Sequence, residues 1–180
     1  MSQWIALFRG INVGGKNILP MKKLKEMLEE AGCSGIATYI QSGNVVFSHA
    51  ATDALELGGS ISAMVQANFG FKPHVLLMTS EQLSAAHGNN PFPAAEKEPK
   101  TLHLFFLANA ATGVDYETLD AIKGETEEFE LIDRVFYLHA PDGIGRSKLA
   151  ARVEKNLGVP TTARNWRTVE TVLQLATDLQ

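Results

Sequence analysis

The chain has 180 residues, enough for one ordinary domain or two small ones to bury a core. With 45% apolar and 20% charged residues it is not a disordered chain, and no apolar run nears the roughly 20 residues that span a bilayer. Cys33 is its single cysteine, which excludes an internal disulfide, and a net charge of -4 argues against a general nucleic-acid binder.

Trp4-Ile5-Ala6-Leu7-Phe8 reads as a buried strand, followed by a glycine-containing loop from Ile11 to Leu19. Pro20 opens a helix in which Met21, Leu24, Met27, Leu28 and Ala31 recur at helical spacing, with Gly32 as its stop. Residues 36–40 and 44–47 read as a hairpin around Gln41-Ser42-Gly43. A second helix is predicted over 52–69, weakened by Gly58-Gly59, and a strand over 74–78 closes a β-α-β-β-α-β series. A short helix at 80–87 and the segment Asn89-Asn90-Pro91-Phe92-Pro93 lead onward.

The pattern then repeats. A strand at 102–107, a helix at 116–123 and a hairpin of 128–132 with 135–139 precede a helix at 146–157 and a last helix at 166–179. Thr161-Thr162-Ala163 is a poor candidate for the final strand. The expected fold is α+β: two tandem ferredoxin-like (split β-α-β) halves, antiparallel sheets with helices on one face. The expected boundaries are 1–80 and 101–180, joined by a connecting helix and proline-rich linker over 81–100.

Charge is uneven. Residues 1–25 hold five bases and no acid, 81–130 hold ten acids and three lysines, and bases lead again after 141. Three segments carry them. Gly10-Ile11-Asn12-Val13-Gly14-Gly15-Lys16 has the spacing of a nucleotide-binding P-loop, but Asn17 stands where magnesium requires a hydroxyl. Pro20 also delays the helix that such a loop should enter, so a looser anion-binding loop is the better expectation. Gly143-Ile144-Gly145-Arg146-Ser147-Lys148 sets two cations and a hydroxyl at a predicted helix start, where anions bind. Arg164-Asn165-Trp166-Arg167 packs polar groups into the next helix entrance. Each half thus contributes one basic element to what the pattern predicts as a single site at their junction.

Other chemistry is poorly represented. The five histidines show no metal spacing, Cys33 has no adjacent base, and no carboxylate pair stands out for acid–base work, so neither a metal nor a cofactor is expected, and the sequence leaves open whether the site is catalytic. Met1-Ser2-Gln3-Trp4 lacks the basic and apolar parts of a signal peptide, so the cytoplasm is the expected compartment and no membrane is expected as a partner.

Five ordered blocks resemble an uncharacterised bacterial family, domain of unknown function 1697. They are residues 7–17 (LFRGINVGGKN), 38–47 (TYIQSGNVVF), 90–93 (NPFP), 143–149 (GIGRSKL) and 162–169 (TARNWRTV). Thr171 departs from it, where such sequences often carry lysine. The resemblance implies tandem ferredoxin-like subdomains and no particular activity.

The function expected from these residues is binding of a small anionic or phosphorylated ligand in a basic cleft between the halves. Arg9, Lys16, Arg146, Lys148 and Arg164 would supply charge, the glycine loop with Gly14 and Gly15 backbone N–H donors, and Asn12, Gln41, Asn44, Ser147 and Asn165 orientation. The alternatives are a structural or regulatory module working through oligomer contacts, and nucleic-acid binding. The last is the weakest, because the central strands lack stacking aromatics. Nothing in the sequence sets the oligomeric state.

Overall fold

The computed structural model describes residues 1–179. The first half runs β1 (Ser2–Arg9), α1 (Met21–Glu30), β2 (Ser34–Tyr39), β3 (Asn44–His49), α2 (Ala54–Phe69) and β4 (His74–Thr79). Its strands form one antiparallel sheet in the order β2-β3-β1-β4. After α3 (Ser80–Gly88) and a 3-10 turn at Pro93–Lys97, the second half runs β5 (Leu102–Leu107), α4 (Tyr116–Ile122), β6 (Glu128–Ile132), β7 (Val135–His139), α5 (Val153–Leu157) and β8 (Thr161–Asn165). Its sheet has the equivalent order, β6-β7-β5-β8, and α6 (Trp166–Asp178) follows. In both sheets the first strand lies between the third and fourth, the order of a split β-α-β arrangement. The fold is α+β with two similar halves.

The chain divides into two compact units, Met1–Ala85 joined by the residues from Glu170 onward, and Ala86–Val169. The last helix therefore starts in the second unit and ends in the first. There the Gln3 side-chain amide donates to the Ala176 carbonyl at 2.8 Å, and Val172 and Ala176 are buried.

In the first unit Trp4, Ala6 and Phe8 alternate along β1 and join Val45, Phe47 and Leu77 beneath Leu24, Leu28, Leu57, Ile61 and Val65 of the two helices. The opposite face of the sheet is buried too, through Ile5, Leu7, Val46, Leu76 and Met78. Burial on both faces explains why β1 reads as a continuous apolar run rather than an alternating one. Helix α1 ends in a Schellman arrangement. The Gly32 N–H donates to Glu29, the Cys33 N–H donates to Leu28 at 2.9 Å, and Gly32 takes φ 86. Cys33 and Leu28 both enter the core, so the lone cysteine is the apolar partner of a helix stop.

Gly58 sits within α2 although glycine weakens helices by about 1 kcal/mol. A Cβ there would lie 3.0 Å from the Val75 carbonyl, so its absence lets α2 approach β4. Asp53 caps the same helix by accepting from the Glu56 N–H at 2.9 Å.

In the second unit Phe105, Leu107, Phe136 and Leu138 pack with Leu119, Leu149, Val153 and Leu157. Phe129 stacks on Phe136 at 5.2 Å, and Phe105 meets Phe136 edge-on at 6.0 Å. The Tyr137 hydroxyl donates to the Ala86 carbonyl at 2.6 Å, and burial pushes its pKa up to about 12. Trp166 is fully buried and stacks on His87 at 4.4 Å.

Three local expectations are corrected. The helix expected over 146–157 is broken into 3-10 turns at Ile144–Arg146 and Ala150–Arg152 and the short α5. Ser147 takes extended backbone at ψ 114, and its hydroxyl accepts from the Ala150 N–H, which restarts the turn there. Ile40 leaves the strand for a turn at φ 50. The unpromising strand at 161–163 extends to Asn165, because β5 supplies its partner along the whole length.

Candidate functional site

The loop after β1 is built by asparagines. Five of its residues adopt left-handed backbone: Gly10, Asn12, Gly14, Gly15 and Asn17, at φ between 52 and 75. Val13 and Lys16 form a bridge closed by the Lys16 N–H on the Val13 carbonyl at 3.0 Å, so Gly14-Gly15 is a tight turn with positive φ at both central positions. Asn12 donates its side-chain amide to the Leu19 and Gln41 carbonyls at 2.9 and 2.7 Å, and its oxygen accepts from the Leu19 N–H at 2.8 Å. Asn17 donates to the Gly10 carbonyl at 2.8 Å. Helix α1 begins only at Met21, so no helix N-terminus meets the lysine and the loop is not a P-loop.

Arg9, Gly14, Gly15, Lys16 and Gln41 are exposed around this frame, and a Cβ at Gly14 or Gly15 would meet nothing within 4 Å. Asn44 is a different case. It is 1% exposed and donates to the Tyr39 carbonyl and the Ser42 hydroxyl, both at 3.1 Å, locking the β2–β3 hairpin. The same hairpin presses on β1. Gly43 accepts from the Phe8 N–H at 2.8 Å, and a Cβ on it would fall 2.5 Å from that of Phe8. Asn12, Gly14, Gly15, Lys16 and Gln41 thus share one neighbourhood, with Asn12 facing inward as its fastening.

The second unit holds the remaining candidates. Arg146 and Ser147 line a groove of about 470 Å³ with Glu125, Thr126, Glu127 and Asp142. Asp142 accepts from the Thr126 hydroxyl at 2.7 Å, and Glu127 from the Gly124 N–H at 2.7 Å. Three carboxylates beside one guanidinium give that groove little attraction for an anion. Ser147 spends its hydroxyl on the backbone, while Lys148 is exposed. Arg164 lies half-buried on β8 and donates to the Ala163 carbonyl at 2.8 Å. Burial pushes its pKa down to about 10, which leaves it charged at neutral pH. Asn165 caps α6 by accepting from the Thr168 N–H at 2.9 Å.

A second cavity of about 530 Å³ lies beside α2, lined by Cys33, His49, Asp53, Leu57 and Met64 among others. His49 accepts from the Ala51 N–H at 3.0 Å through Nδ1, and burial pushes the Cys33 thiol up to about 11, which leaves it a poor nucleophile. Among the described residues no three of His, Cys, Asp and Glu are grouped to hold a metal ion, and no helix is long and apolar enough to cross a membrane.

Fold and site together describe a tandem split β-α-β protein marked by a rigid basic turn after its first strand. The chain belongs to the family described as "Protein of unknown function (DUF1697)", whose model matches residues 1–137. Among solved structures it is similar to the conserved bacterial protein SP0830 from Streptococcus pneumoniae, with 22% identity and a TM-score of 0.69 over 98% of this chain and 99% of that one. No curated protein matches.

Proposed function

We propose that the chain binds a small anionic or phosphorylated ligand, anchored at the Gly14-Gly15 turn with Lys16 and Arg9. The observation that carries this reading is the frame of the loop. Asn12 and Asn17 make four side-chain hydrogen bonds that brace the loop, with its glycine turn and lysine exposed to solvent. A loop ordered before the ligand arrives avoids an entropic cost on binding. Arg9 and Lys16 are the only charged residues among the first 20, and both are basic, so the charge of the loop favours an anion.

Thermal shift with phosphate, sulfate, nucleotides and sugar phosphates tests the reading. A ligand at 100 times its Kd should stabilise the native state by about 2.7 kcal/mol. The shift should vanish in Lys16→Ala. Retention in Arg146→Ala and Arg164→Ala would confine the ligand to the loop, whereas loss in either would extend the site to that residue. No shift with any compound would overturn the proposal.

A further inference from the structure

The groove of about 470 Å³ in the second unit brings two chain segments and both signs of charge together. One wall is a closed turn. The Glu127 N–H donates to the Gly124 carbonyl at 3.0 Å, and the Glu127 carboxylate accepts from the Gly124 N–H at 2.7 Å. The other wall runs from Asp142 to Ser147 through the 3-10 turn at Ile144–Arg146. The Thr126 hydroxyl ties the two walls by donating to Asp142 at 2.7 Å.

Glu127 is the unusual group. It is 8% exposed and lines the groove, and its second carboxylate oxygen accepts no hydrogen bond from any described residue. Glutamate is rarely buried to this degree without a counter-charge, because loss of water penalises the ion. Arg146 lines the same groove. Yet among the described residues neither it nor Glu125, Glu127 or Asp142 forms an ion pair. The guanidinium and the carboxylates thus face one cavity without neutralising one another.

We infer that this groove binds an amino acid with a basic side chain. The cationic groups of the ligand meet the carboxylates of Glu127, Asp142 and Glu125, and its α-carboxylate meets Arg146. Three carboxylates against one guanidinium leave the groove with net negative charge, which favours a ligand of net positive charge. A volume of about 470 Å³ falls in the range of small-ligand sites. Among the described residues no three of His, Cys, Asp and Glu are grouped to hold a metal ion, so an organic cation is the fitting counter-charge. This site does not depend on the anion loop, and either can fail without the other.

Calorimetric titration of the full chain with L-lysine, cadaverine and L-norleucine tests this. Cadaverine lacks the carboxylate and norleucine the side-chain ammonium, so each should bind about tenfold more weakly than L-lysine. Arg146→Ala should weaken L-lysine and L-norleucine about tenfold and leave cadaverine binding no more weakly than before. Glu127→Gln keeps an oxygen for the Gly124 N–H and removes an unpaired buried charge. It should therefore melt no lower than the parent while binding L-lysine and cadaverine about tenfold more weakly. Lys16→Ala, which removes the cation of the anion loop, should leave the affinity for L-lysine unchanged. No binding of L-lysine, or equal affinity for the three ligands, would overturn the inference and leave the anion loop standing. A Glu127→Gln chain that melts lower would show that the carboxylate serves the turn and would overturn it as well. Binding of calcium ion in place of L-lysine would overturn it in favour of a metal site.

Discussion

Asn12 makes three hydrogen bonds, two to Leu19 and one to Gln41, and each satisfies a backbone group that would otherwise need water or another partner. Replacing it with alanine should cost about 2–3 kcal/mol, at roughly 1 kcal/mol for each bond. Thermal melts followed by circular dichroism would measure this, and an unchanged midpoint would show that the loop does not depend on Asn12. The glycines and lysine of this loop were legible in the sequence, and so was the failure of the P-loop at Asn17. The work of the asparagines was not. A side chain that reaches from residue 12 to residue 41 leaves no local pattern, and asparagine at a candidate site looks the same whether it faces a ligand or the backbone. Ile40 was misread for a related reason: its β-branched side chain suits a strand, and only the turn it must complete places it at positive φ.

At the level of elements, the strands were the most legible features because burial on both faces gives short continuous apolar runs such as residues 102–107, whose length suits a strand better than a helix. The segment 146–157 failed because its apolar spacing is helical while Ser147 diverts the backbone by bonding to Ala150. The strand β8 was nearly invisible, since its five residues include two threonines, an arginine and an asparagine, and β5 decides its conformation. The stop of α1 was visible at Gly32, though not the role of Cys33 beside it. That role has a pH consequence. The thiol titrates at about 11 when folded against 9.0 for the ordinary group. A raised folded pKa means the stabilisation is complete below about pH 9 and is lost as pH rises toward 11, because only the unfolded chain ionises in that window. Tyr137, raised from 10.0 to about 12, acts in the same direction at still higher pH. Urea midpoints should therefore fall between pH 8 and pH 10.5, and Cys33→Ala should lessen the fall. A midpoint independent of pH would contradict the burial of the thiol.

For the whole molecule, the division into two similar halves follows from the repeated order of elements, which the periodicity revealed without any repeat of residue identity. The return of the last helix to the first unit did not follow, because nothing local in residues 170–178 marks which sheet they serve. Its expected consequence is that removing the chain from Glu170 onward destabilises the first unit most, since Val172 and Ala176 are buried and Gln3 loses its acceptor. Hydrogen exchange should show lost protection in β1 and β4 of the truncated chain, with β5 and β7 changed less. Equal loss in both sheets would indicate that the helix serves the two units alike.

The same return of the chain orders events during synthesis. Domains are generally completed from the N-terminus as they leave the ribosome. Here the first unit, although its strands emerge earliest, must wait for residues made after every part of the second. The nascent chain therefore holds a β1–β4 sheet that lacks its last helical cover until the turns of α6 from Glu170 onward are released. In this interval the earlier half is the one exposed to chaperones and proteases.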